Sequence, residues 1–160
     1  MNVVEVGRMR QLADFLETVP PKDFDLRAWQ TRCPIAPTML GPFAWGGCGF
    51  AGCALGWAAH SGLFLGLGVD RQGNLVYKGF ANYRAVRHLL GIKQRAAWFL
   101  FGQEMYDREA QEPGDVAARI RRFADIVERR RNRGQVEYGF NQDPIDAAET
   151  ECSYALQEAA

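Results

Sequence analysis

From Pro34 to Val69 the chain carries no Asp, Glu, Lys or Arg. An uncharged run of that length has two destinations, a membrane or a protein core. Phe50 to Val69 matches the roughly 20 residues that span a bilayer, and Gly52 and Gly56 form a G-x-x-x-G pair. Against a span stand Gly62, Gly66 and Gly68 and the polar pair His60-Ser61, which interrupt the apolarity. The composition instead predicts a buried helix, a break and a strand, with no membrane contact.

The centre of this run, GGCGFAGCALGWAAH from Gly46 to His60, holds two cysteines, a tryptophan and a histidine. A helix from about Phe50 to Ser61, ended by Gly62, puts Cys53, Trp57 and His60 on one face. Along the axis, however, seven residues separate thiol from imidazole by about 10.5 Å. A nucleophile and its base need roughly 2.6–3.2 Å, and two zinc ligands need bonds of about 2.0–2.3 Å to one ion. Were both in one helix, Cys48 and Cys53 would be about 7.5 Å apart along it, past the reach of a disulfide; only a Cys48 outside the helix could fold back. The segment therefore predicts structural core at Cys48, Cys53 and Trp57, with one acceptor for the indole N–H. No catalytic set is favoured. The weaker arrangement is a cysteine-dependent enzyme in which Cys53, at a helix N-terminus, takes His88 as a base supplied by tertiary structure. A metal held by Cys33 with Cys48 or Cys53 lacks the usual short ligand spacing, so neither metal nor cofactor is expected.

Around this segment the periodicity is mainly helical. Met9, Leu12, Ala13, Leu16 and Val19 mark a first helix that Pro20-Pro21 ends. Asp25 predicts a short capped helix through Trp29, and Cys33 to Gly47, with Pro34, Pro37 and Pro42, predicts a loop. Leu63–Val69 and Leu75–Lys78 flank Asp70-Arg71-Gln72-Gly73-Asn74 as a hairpin. Asn82 is expected to cap a helix through Leu90. After Gly91-Ile92, Lys93–Phe101 forms another, closed by Gly102. Pro113 opens a long helix through Val116, Ile120, Phe123 and Val127 that stops by Gly134. Asp143-Pro144 begins a weaker terminal helix. The fold class is mainly α: a compact single domain of about six helices with one small hairpin, spanning residues 1–133, then an acidic tail from 134 to 160.

The charges segregate along the same boundary. All 19 Lys and Arg precede Gly134, against 13 Asp and Glu, while the remainder holds six acids and no base. Arg119, Arg122, Arg129, Arg130 and Arg133 are expected to share one side of the long helix, a stripe able to hold phosphates or another anion. A nucleic-acid partner is one use of it; folding back of the acidic tail, or simple solvation, ranks higher because the two parts cancel. Ala85 to Arg95 suggests a helix-turn-helix, but its second helix continues into Ala96-Ala97-Trp98-Phe99-Leu100-Phe101, which is core material. There is no G-x-x-x-x-G-K-[ST], H-E-x-x-H or G-x-S-x-G, and Gly66-Leu67-Gly68 lacks the third glycine of a dinucleotide fingerprint. MNVVEVGRMR shows no charged stretch followed by an apolar one, so a cytoplasmic chain with reduced cysteines, Cys152 included, is expected.

Cys48-Gly49-Phe50-Ala51-Gly52-Cys53-Ala54-Leu55-Gly56-Trp57-Ala58 resembles the C-G-T-x-x-C-x-x-G-W segment of small uncharacterised proteins of bacteria and their phages. Leu90-Gly91-Ile92 through Leu100-Phe101 is similar to the turn and Leu-Phe helix end that follow in them. The likeness runs from Met9 to Phe101, with Phe50 in place of the threonine, and leaves the acidic tail without a counterpart. It implies origin and fold, not chemistry. The expected function is a non-enzymatic binding protein, an antagonist of a host system by analogy, with a host protein or a small anionic ligand as partner.

Overall fold

The computed structural model describes residues 4–26, 53–102, 105–106 and 112–133. Among them five α-helices and a three-stranded sheet surround one hydrophobic core. The mainly helical class stands, with five helices in place of six. Of the short helix expected from Asp25, only Asp25 and Leu26 are described, and neither is helical; a single 3-10 turn, Pro21–Asp23, precedes them. The terminal helix and the acidic tail lie outside the described residues, as do Cys33, Cys48 and Cys152.

Helix α1 (Val6–Leu16) buries Val6, Met9, Leu12, Ala13 and Leu16, the three-four spacing of one face. It ends before Val19 because Thr18 turns back on it. The Thr18 backbone N–H donates to the Phe15 carbonyl at 2.9 Å and its hydroxyl to the same oxygen at 2.7 Å. Val19 is still buried, from the turn rather than the helix. α1 packs chiefly against the last helix, α5 (Pro113–Asn132). Pro113 occupies the first turn, and the Glu112 backbone N–H donates to the Asp115 carboxylate at 3.0 Å. Ion pairs fix the antiparallel register. Arg10 meets Asp125 at 2.9 Å and Glu128 at 2.6 Å, and Arg121 meets Asp14 at 2.7 Å and also Glu17. These carboxylates hold both guanidiniums above their ordinary range, with hydrogen bonds the leading cause, and Arg121 draws Glu17 below its own. Exposed pairs of this kind add little stability but disfavour a slipped register.

Helix α2 (Ala54–Ser61) begins later than the expected Phe50, with Cys53 as its extended N-cap. The glycine- and alanine-rich letters carry no periodicity that could have located that start. Gly62, at φ 70°, closes it in the left-handed conformation that glycine tolerates. The chain then enters β1 (Leu67–Val69), so the described part of the candidate membrane span, from Cys53 to Val69, holds a helix of eight residues and a strand. No helix among the described residues is long and apolar enough to cross a membrane.

The hairpin is the first half of a three-stranded antiparallel meander of β1, β2 (Leu75–Tyr77) and β3 (Phe80–Ala81). Leu67 pairs with Tyr77 and Val69 with Leu75. Asp70 builds the first turn, its carboxylate accepting from the backbone N–H groups of Gln72 and Asn74, each at 2.9 Å. The second turn, Lys78-Gly79, has φ of 49° and 81°, the two positive values a type I′ turn demands. It joins Tyr77 directly to Phe80 across the ladder.

Helices α3 (Asn82–Leu90) and α4 (Gln94–Phe101) complete the core. The N-cap of α3 is Ala81, not Asn82; Asn82 instead reaches sideways and donates to the Asn74 side chain at 3.2 Å. Gly91, at φ 67°, is a left-handed cap for α3. Gly102 ends α4 differently. It is extended, and a Cβ there would lie 2.3 Å from Trp98 Cδ1 and 2.7 Å from the Trp98 carbonyl oxygen. Close approach, not backbone handedness, reserves that position for glycine.

Candidate functional site

Cys53 is the described thiol, and two effects contend over it. A helix N-terminus stabilises a thiolate, whereas burial favours the neutral thiol. Burial wins: Cys53 is 2% exposed and its pKa is pushed up to about 11. The Gly56 backbone N–H donates to Sγ at 3.5 Å, so the side chain serves as a cap. Trp57, the second described member of the expected core set, is half-buried, and its indole N–H donates to the Asp23 carbonyl at 3.0 Å, tying α2 to the Pro21–Asp23 turn.

Neither imidazole joins the thiol. His60 stands in the last turn of α2, a full helix length from Cys53, and desolvation pulls its pKa down to about 4. His88 is exposed on α3, with its ring stacked on Phe80 at 3.6 Å between centroids and 7° between planes. Among the described residues no hydrogen bond links His88 to Cys53, and the nucleophile-and-base geometry expected of an enzyme is not assembled.

The arginine stripe divides. Arg119 turns inward and is 9% exposed. One of its amino groups, Nη1, donates to the Phe99 carbonyl at 3.0 Å and the Met105 carbonyl at 2.7 Å, while the guanidinium lies 3.6 Å from the Tyr106 ring centre and 4.8 Å from that of Phe99. Phe99 lies in the last turn of α4, so Arg119 supplies a donor to a carbonyl that the helix leaves open. The expectation of an outward Arg119 fails because the residue falls at the margin of the arc that buries Ile126 and Phe123. A signal for this was present: Arg119 stands four residues before Phe123 and seven before Ile126. Arg130 is half-buried, while Arg122, Arg129 and Arg133 are exposed and lie within about 40° of one another around the helix.

In α4 Gln94, Arg95 and Trp98 face outward against five buried residues, so its polar surface is confined to the first turn, short of the exposed polar side that a recognition helix presents. Glu104 and Asp107, a carboxylate pair of the sequence, lie outside the described residues. One cluster has no precedent in the sequence reading. Phe80, Arg84 and His88 come together where β3 meets α3, with the Arg84 guanidinium 5.5 Å from the Phe80 ring centre. It is hidden in the linear pattern because Phe80 belongs to a strand only two residues long.

Comparison of the chain with known protein-family models, with curated proteins and with solved structures yields no match. The geometry above is therefore what bears on function.

Proposed function

We propose that the protein is a non-enzymatic binding protein of bacterial or phage origin that engages an anionic partner in the cytoplasm. The observation that carries this reading is the exposed trio of Arg122 and Arg129 on α5 and Arg133 at its C-cap. Among the described residues no carboxylate forms an ion pair with them: Asp125 and Glu128 both turn to Arg10, and Asp115 to the helix start. Planar guanidiniums on one face suit carboxylate or phosphate, which they can grip with paired donors. An acidic surface of a host protein is the preferred partner, with antagonism of a host system as the biological setting that the phage resemblance suggests. The buried Cys53 and the separated His88 give a cysteine enzyme no comparable support.

The test is binding of fluorescent polyglutamate to the full chain and to an Arg122→Ala/Arg129→Ala/Arg133→Ala variant. Binding that weakens at least tenfold in the variant, and declines with added salt, supports the proposal. Equal binding by the two proteins, or none by either, refutes it.

A further inference from the structure

Between Asp25 and Glu104 the chain contains one carboxylate, Asp70. That group is consumed by its own turn, where the backbone N–H of Asn74 leads the contacts that hold its pKa below the ordinary value. From Arg71 to Gln103 there are six Lys and Arg and no acid. Apart from Asp70, the sequence around the sheet and α3 thus supplies cations only. Helix α3 concentrates them. At 100° per residue, Arg87, Arg84 and His88 occupy about 100° of one face within little more than a turn.

Three features of that face point to a ligand. His88 lies flat on Phe80, so one side of the imidazole is covered; the residue nonetheless remains exposed, which leaves the other side to solvent. The Arg84 guanidinium approaches Phe80 at 5.5 Å and donates no hydrogen bond to a described residue. Arg87 is half-buried, and its Nε is a buried donor with no acceptor. A desolvated donor without a partner is costly, so this guanidinium is incompletely satisfied within the fold. A flat, open ring beside two guanidiniums is complementary to a flat ring joined to an anion.

We infer that the α3 face formed by Phe80, Arg84, Arg87 and His88 binds a nucleotide unit, its base stacked on the outer side of His88 and its phosphate held by Arg84 and Arg87. A free nucleotide and a single strand both present that chemistry. A duplex does not, because its base faces are covered by their neighbours. This surface lies on a different helix from the α5 trio and stands or falls independently of it. A merely solvated basic helix would attract any polyanion and would be indifferent to the ring at position 88.

The experiment is fluorescence anisotropy with a labelled oligothymidylate of about ten nucleotides, its duplex form, and thymidine monophosphate as competitor. The single strand is expected to bind in preference to the duplex. Arg84→Ala and His88→Ala should each weaken it about tenfold, His88→Phe should retain most of the affinity, and Lys22→Ala should change nothing. Displacement by the monophosphate at a concentration comparable to the oligonucleotide's own Kd identifies the free nucleotide as the source. Displacement only in large excess identifies the strand. The inference is overturned by equal affinity for strand and duplex, by an unchanged Kd in His88→Ala, by equal losses in Lys22→Ala and Arg84→Ala, or by absence of binding to every probe.

Discussion

At Cys53 the helix-end field and the loss of water pull the thiol in opposite directions, and the outcome sets its chemistry. With the pKa pushed up from 9.0 to about 11 by burial, the nucleophilic thiolate is scarce near neutral pH. Iodoacetamide at pH 8 should leave Cys53 unmodified in the folded chain and alkylate it in urea, as read by peptide mass mapping; fast labelling of the folded protein contradicts the sheltered site. The same shift has a stability consequence. Between about pH 9 and 11 the unfolded thiol has ionised and the folded one has not, so stability should fall by about 2–3 kcal/mol across that window. Cys53→Ala should lack this decline. His60 works on the acid side. Its pKa falls from 6.5 to about 4 on burial, so the unfolded chain takes up the proton first and stability should decrease as pH drops through that interval. Because the ring is only half-buried, the loss should be about 1–2 kcal/mol, absent in a His60→Gln chain followed by thermal unfolding. Arg119 is the third residue whose environment overrides its type. Arg119→Ala strips two carbonyls of their donor and should cost about 3 kcal/mol in urea unfolding. Arg119→Lys keeps the charge but loses the flat stacking on Tyr106 and Phe99, and should cost about half as much. An exposed, solvated arginine would show neither effect.

Among the elements, those with an amphipathic face were legible in the sequence and those without one were not. α3 was expected to follow an Asn82 cap and run through Leu90; it starts one residue earlier, at Asn82, and ends at Leu90, because Ala85, Val86, Leu89 and Leu90 recur on one side. α5 follows from Pro113 and the Val116–Ile120–Phe123 spacing in the same way. α2 escaped at its start, since a run of glycine and alanine has no polar side to contrast with its apolar one. β3 escaped altogether. Two residues give no alternation, and its turn is Lys78-Gly79 rather than the Asn-Gly or Asp-Gly that announces a type I′ turn. That irregularity makes the turn a place to gain stability. A lysine at φ 49° bears about 1–2 kcal/mol of left-handed strain, much of which asparagine avoids. Lys78 also lies 5.4 Å over the Tyr77 ring, an exposed contact worth about 0.5 kcal/mol that the substitution removes. Relief exceeds loss, so Lys78→Asn should raise stability by about 0.5 kcal/mol, measurable as a higher urea midpoint. A lower midpoint would mean that the contact with Tyr77 outweighs the strain.

On the scale of the whole molecule, charge is distributed by region, and each region treats it differently. The α1–α5 pair matches arginine to carboxylate across the interface, whereas the sheet and α3 carry cations with Asp70 as the sole acid between Asp25 and Glu104. Composition could not separate these cases, because pairing depends on which helices lie side by side. The candidate residues were legible as arginines and as a buried cysteine, but Arg119's inward turn and the Phe80–His88 stack exist only in three dimensions. The chain as a whole is neutral, and neutrality rests on its last segment: 19 bases and 13 acids precede Gly134, and six acids with no base follow. If that acidic segment competes with external anions for the arginines, removing Gln135 to Ala160 both deletes the competitor and leaves six uncompensated positive charges. The truncated chain should then elute later from heparin than the full one. The larger net charge by itself would add a delay that vanishes at high ionic strength, since the screening length is only about 3 Å at 1 M salt. Competition at the arginines adds something that net charge does not: Arg122→Ala/Arg129→Ala/Arg133→Ala should abolish most of the gain in the truncated chain while altering the full chain's retention little. If the triple substitution shifts both chains equally, the segment is not masking α5, and its acids act only through the overall field.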